Sequence, residues 1–146
     1  MYLTGVVPRS GFICANMDGG GNVRIIDEGL GCQFGIALDN ISSDVLYWTV
    51  STEDAIGTIH INGRNKRKLI QLEPQTGATR IQVDDRKIYF KTNKGVQCAN
   101  KHNGGGLKTI LKAEYVTGLA LFNTPVAVAQ PPCKSVRHAL HRKCAV

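Results

Sequence analysis

The chain of 146 residues has the size of one ordinary domain, and its 42% hydrophobic and 20% charged residues exclude a wholly disordered polymer. No apolar run is long enough to span a bilayer. The start, Met1 to Gly5, lacks the charged-then-apolar layout of a signal peptide, as expected of a mature or trimmed chain and equally of a cytosolic one. A formal net charge of +7 directs attention to anionic partners, with an ordinary soluble surface as the plain alternative.

Taken in chain order, three imperfect copies of one unit appear. The first begins at Tyr2-Leu3-Thr4, carries Cys14-Ala15-Asn16 and the turn Asp18-Gly19, and ends at Ile25-Ile26. The second begins at Tyr47-Trp48-Thr49, turns at Asn62-Gly63 and ends at Leu69-Ile70. The third begins at Tyr89-Phe90-Lys91, repeats Cys98-Ala99-Asn100, turns at Asn103-Gly104 and ends at Ile110-Leu111. The period is about 40 to 45 residues, the length of a propeller blade.

A short buried-strand pattern lies between copies: Gly35-Ile36-Ala37-Leu38-Asp39, then Arg80-Ile81-Gln82-Val83-Asp84, then Gly118-Leu119-Ala120-Leu121-Phe122. Each unit therefore has four strands. In the second copy the third strand covers 57–61 and the fourth 66–70. Asp-Gly and Asn-Gly supply the positive φ of a tight hairpin, so third and fourth strands pair directly. The fold class is all-β, with about three propeller blades in residues 1–124 and a basic, cysteine-bearing tail in 125–146.

The run Val45-Leu46-Tyr47-Trp48-Thr49, followed by Ile59, Asn62-Gly63-Arg64 and Arg67-Lys68-Leu69-Ile70, resembles the YWTD repeat (LDL-receptor class B repeat) of low-density-lipoprotein-receptor relatives. The resemblance covers residues 2 to 122, closely in the middle copy and in layout alone in the outer two. It implies a six-bladed β-propeller, with Trp48, Tyr47 and Tyr89 in structural positions. Val50 replaces the motif aspartate, which in the family helps tie blades together, so the blade contacts here should differ. Three blades are half a ring. A two-fold homodimer, in which a terminal first strand (118–122) completes the blade begun by Tyr2 of the other chain, would close six blades and cover exposed edges. A fragment of a longer receptor is the alternative.

Five cysteines are many for a cytosolic chain and suggest disulfides in an oxidising compartment. Cys133 with Cys144 and Cys14 with Cys32 are the candidate pairs. Cys98 is left as a buried thiol or as a link between chains. Asn40-Ile41-Ser42 is a glycosylation acceptor pattern. These features predict a secreted protein. Cys133, His138, His141 and Cys144 also have a spacing that can hold zinc, but it matches no standard module, and a disulfide is preferred. No cofactor is expected.

The glycine-rich tips offer Asp18, Asn22, Asn62, Arg64, Asn65 and Asn103 to sugar hydroxyls, or are merely turns. The basic clusters Lys66, Arg67, Lys68 and Lys134, Arg137, Arg142, Lys143 are polyanion candidates. No nucleophile elbow, zinc-protease helix or paired carboxylates point to catalysis. Asp84 and Asp85 are adjacent in a strand and point apart, and His60 and His102 are isolated. The expectation is a secreted, non-enzymatic lectin or adhesion protein binding glycans or glycoproteins multivalently. The alternative is a receptor-type propeller fragment binding a protein ligand.

Overall fold

A computed structural model describes residues 2–5, 11–14, 18, 24–28, 33–39, 44–113 and 115–121. Eleven strands form three antiparallel sheets, which we call blades 1 to 3. Blade 1 is the three-stranded order β1 (Tyr2–Gly5), β2 (Gly11–Cys14), β3 (Arg24–Glu28). Blade 2 runs β4 (Gln33–Asp39), β5 (Val45–Val50), β6 (Ala55–His60), β7 (Arg67–Gln71). Blade 3 runs β8 (Arg80–Val83), β9 (Lys87–Thr92), β10 (Gly95–Asn100), β11 (Lys108–Leu111). The one helical element among the described residues is a 3-10 turn, Ser51–Glu53.

The three tyrosines hold one place in their sheets. Tyr2 pairs with Cys14, Tyr47 with Thr58 and Tyr89 with Cys98. A bulge also recurs. The register between third and fourth strands slips between Phe12 and Ile13, between Ile56 and Gly57, and between Val96 and Gln97. The unpaired extra residue is Ile26, Leu69 and Ile110 respectively. One consequence corrects the sequence alignment: Ile26, not Ile25, is the counterpart of Leu69 and Ile110. Arg24, Arg67 and Lys108 then share one position, a basic residue opening each fourth strand.

The blades pack side by side, with β4 against β8 and β1 against β4. Gly35 makes the closest approach possible, since a Cβ there would lie 2.5 Å from the Thr79 carbonyl oxygen. Alternate residues of β5 face opposite seams. Leu46, Trp48 and Val50 join Phe12, Ala55 and Ile59 between blades 1 and 2. Tyr47 joins Ile56, Ile70, Leu72, Ile81, Ile88 and Phe90 between blades 2 and 3. Trp48, 3% exposed, meets Phe12 edge to face at 4.9 Å, a core position and not an open stacking platform.

Three expectations need adjustment. Residues 118–121 form no strand, although 117–119 line a cleft with 34–36 and 80–82, beside β8. A first strand needs a second strand to accept its ladder, and no described residue offers one. The 61–66 connection between β6 and β7 is wider than a tight hairpin. It closes on itself through His60 N–H to the Arg64 carbonyl (3.0 Å), with Gly63 and Asn65 at φ 84° and 57°. Finally, β8 stops at Val83, so Asp84 and Asp85 lie in the following turn. There the Asp84 carboxylate accepts the Arg86 and Lys87 amides (2.7 and 2.6 Å) and the Tyr89 hydroxyl (2.8 Å).

Candidate functional site

The seam between blades 2 and 3 carries more polar structure than the apolar repeat predicts. The tip between β10 and β11 turns tightly, with Gly104 at φ 72° and a virtual Cβ 2.7 Å from the Leu69 carbonyl oxygen. Only glycine fits there. That tip delivers Lys101 to blade 2. Its Nζ lies 2.7 Å from Asp39 Oδ2, with side-chain exposures of 0% and 1%, and it also donates to the Asp84 carbonyl (3.2 Å). A buried pair with such partners fixes how the blades meet, because separating it strands a charge in the core.

Two further bonds cross the seam. Tyr47 Oη donates to the Lys101 carbonyl (3.2 Å), and Arg67 Nη2 donates to the His102 carbonyl (2.6 Å). Burial first, then the Asp39 charge, pushes the Tyr47 hydroxyl up to about 12 against the opposing pull of Arg67. Like any tyrosine at ordinary pH it is a neutral donor, and the shift extends that state to higher pH. At the other end of blade 2, Asp54 accepts the Gln75 and Gly77 amides (2.7 and 2.9 Å), tying the 3-10 turn to the connection leading to blade 3. These contacts stand where Val50, buried in the other seam, offers no carboxylate.

Above this seam a cavity of about 450 Å³ opens between the two tips. Val45, Tyr47, Thr58 and Ile59 are among the residues lining it. His60, Asn65, Lys66 and Arg67 from blade 2 face Lys101 and His102 from blade 3. No acidic residue is among those lining it. The Lys101 charge is already matched by Asp39, whereas the Arg67 contact across the seam is to a neutral carbonyl.

Of the residues singled out from sequence, Asn65, Lys66 and Arg67 meet in this cleft. His60 and His102, isolated in sequence, join them there. The signal was present: both histidines flank the repeated Asn-Gly turn. Asn62 and Asn103 each accept a backbone amide within their own turn, from Arg64 (2.9 Å) and Gly105 (2.8 Å). Arg64 is exposed. Lys68 faces the opposite side of β7, where it pairs with Glu53 (3.1 Å) and donates to Gln71 (3.0 Å). Asp18 is exposed in a turn.

Asn22, Asn40, Cys32, Cys133, Cys144, Lys134, Arg137, Arg142 and Lys143 lie outside the described residues, as does the Cys14 side chain. Cys98 is a free, buried thiol at 1% exposure, with no surface from which to reach a second chain. Among the described residues no group of three or more His, Cys, Asp or Glu is placed to hold a metal, and no helix is long and apolar enough to cross a membrane.

No protein-family model and no curated protein sequence matches the chain. Among solved structures it is similar to a chain in the crystal structure of a nidogen/laminin complex, with a TM-score of 0.58 and 19% identity. The match covers 68% of this chain and 38% of that one, so the chain spans well under half of its structural neighbour. At this identity the likeness carries the fold alone: an all-β chain of antiparallel sheets arranged as β-propeller blades.

Proposed function

We propose that the chain is a non-enzymatic propeller segment that binds a protein ligand outside the cell. The supporting observation is that its structural neighbour belongs to a complex between two proteins, nidogen and laminin. The cleft between blades 2 and 3 supplies a formed surface for such contact, whereas the glycan reading has no comparable support. The test is biosensor binding against a panel of extracellular proteins, laminin among them, beside a glycan array. Saturable binding to a protein, unaffected by free sugars, is expected. Binding confined to glycans overturns the reading. Thiol titration of the denatured, unreduced protein checks the compartment: fewer than five reactive cysteines fit secretion, and five oppose it.

The same proposal includes closure of the ring by a second copy. Leu111 is 53% exposed where its counterpart Ile70 is 7% exposed, so the outward face of blade 3 is an uncovered version of a seam. Blade 1 has three described strands, and residues 118–121 carry a first-strand sequence without a ladder. Two chains about a two-fold axis match each lack with the other's surplus. Light scattering should give twice the chain mass, and a folded monomer removes the closure.

A further inference from the structure

We infer that the cleft between the tips of blades 2 and 3 recognises an acidic peptide segment, a carboxylate side chain flanked by an apolar residue. This deepens the protein-binding reading and rests on it. Four observations carry the inference together.

The first is charge. Arg67 brings its positive charge to the cleft beside the imidazole rings of His60 and His102, and no acid lines it. The Asp39 carboxylate beneath the cleft is buried and engaged with Lys101. The second is rigidity. Arg67 is held by one nitrogen on the His102 carbonyl, at 2.6 Å, which leaves other guanidinium donors in a fixed fork. A planar fork suits the two oxygens of a carboxylate, and little ordering cost remains on binding.

The third is apolar surface. Val45 and Tyr47 line the cleft with carbon beside its polar rim, and the Tyr47 phenol is neutral at ordinary pH. An aspartate or glutamate followed by an aliphatic residue satisfies both layers. A sulfated glycan chain satisfies only the rim. The fourth is scale: about 450 Å³ is within the range of pockets that enclose a small ligand.

The probe is hexaglutamate, titrated into isotope-labelled protein and followed by amide chemical shifts, with hexaglutamine as the neutral control and a heparin hexasaccharide as the sulfated one. Hexaglutamate should move the amides of 58–67 and 100–104 in a saturable way, weakening as salt rises. Arg67→Ala should lower affinity about tenfold or more, the size of a charged hydrogen bond. Because Arg67→Ala also removes a contact across the seam, His60→Ala/His102→Ala is a second variant that leaves that contact in place, and it should weaken binding as well. Lys68→Ala, on the opposite side of β7, should bind as the parent does.

Shifts scattered over Lys87, Lys91 and Lys94, or equal affinity in all variants, overturn the inference. So does a heparin fragment that moves the cleft amides while hexaglutamate does not. The two layers separate cleanly. A protein partner captured equally by the parent and Arg67→Ala leaves the protein-binding reading standing and removes the cleft from it. Hexaglutamate seated at the cleft, with no protein partner found, does the reverse.

Discussion

The two seams of this chain solve one packing problem with different chemistry. Ile61 and Lys101 hold the same position, three residues beyond the Thr58 and Cys98 that pair with the repeated tyrosines. Each also donates its amide to the turn before its blade's second strand, to the Asp44 and Arg86 carbonyls. In the seam of blades 1 and 2 that position is apolar, and Ile61 packs beside Trp48, Ile59 and Leu46. In the seam of blades 2 and 3 it is a lysine driven onto a buried aspartate. The apolar seam tolerates adjustment, because hydrophobic contact has no direction. The ionic seam has one low-energy arrangement, and the cleft of the two tips lies beside it. Directional pairing is placed where geometry has to be kept.

The largest expected effect comes from breaking that pairing. Lys101→Met should destabilise by about 3–5 kcal/mol, since it leaves Asp39 charged and buried. Adding Asp39→Leu should restore most of the loss, as read from paired urea titrations. A double variant no better than the single one would show that the Asp39–Lys101 pair is not what sets the cost. Next comes the covered against the uncovered face. Ile70→Ala should cost about 2–5 kcal/mol, the range for truncation in a core. Leu111→Ala should cost within about 0.5 kcal/mol in a monomer, as surface changes do. A loss at Leu111 that grows with protein concentration would instead reveal that a second copy covers it.

In the apolar seam Gly57→Ala should cost about 1–3 kcal/mol by overpacking. Its Cβ would fall 2.3 Å from the Trp48 indole. Tryptophan emission should shift along with the melting temperature. The smallest effect is on the acid limb. Burial raises the Asp84 pKa, but amides of Lys87 and Arg86, the Tyr89 hydroxyl and the Lys101 charge outweigh it and hold it below the ordinary carboxylate value. Its contribution is therefore complete above about pH 4 and fades as pH falls through the lowered value. Asp84→Asn should flatten the pH dependence of stability in that window, and an unchanged slope would assign it to other carboxylates.

Much of the fold was legible because a repeat exposes itself. The tyrosines and the apolar runs at 35–39 and 80–83 fall in equivalent strands, and the Asn-Gly pairs in equivalent tips. The hidden parts depend on distance in space. Asp39 and Lys101 are separated by 62 positions, and nothing in either neighbourhood marks them as partners. The glycine-rich tip at 103–106 reads in sequence as sugar-facing or merely a turn, and Gly104 answers to a positive φ and to the close Leu69 carbonyl. Residues 118–121 have the letters of a strand but no described neighbour to bond. The cleft was half visible: its lysine and arginine stand out by charge, while its histidines, isolated in the sequence, meet only when the two tips lie side by side.

The recurring bulge has a bearing on solubility. β3, β7 and β11 are the outermost strands, and each carries an aliphatic residue at its extra position, Ile26, Leu69 and Ile110. A straight, apolar outer strand invites a stranger's strand to pair with it and begin a fibril. Two residues set against one twist that margin out of line. The misfit thus guards the rim of every blade, and deleting Leu69 to smooth the ladder should make the chain more prone to aggregate.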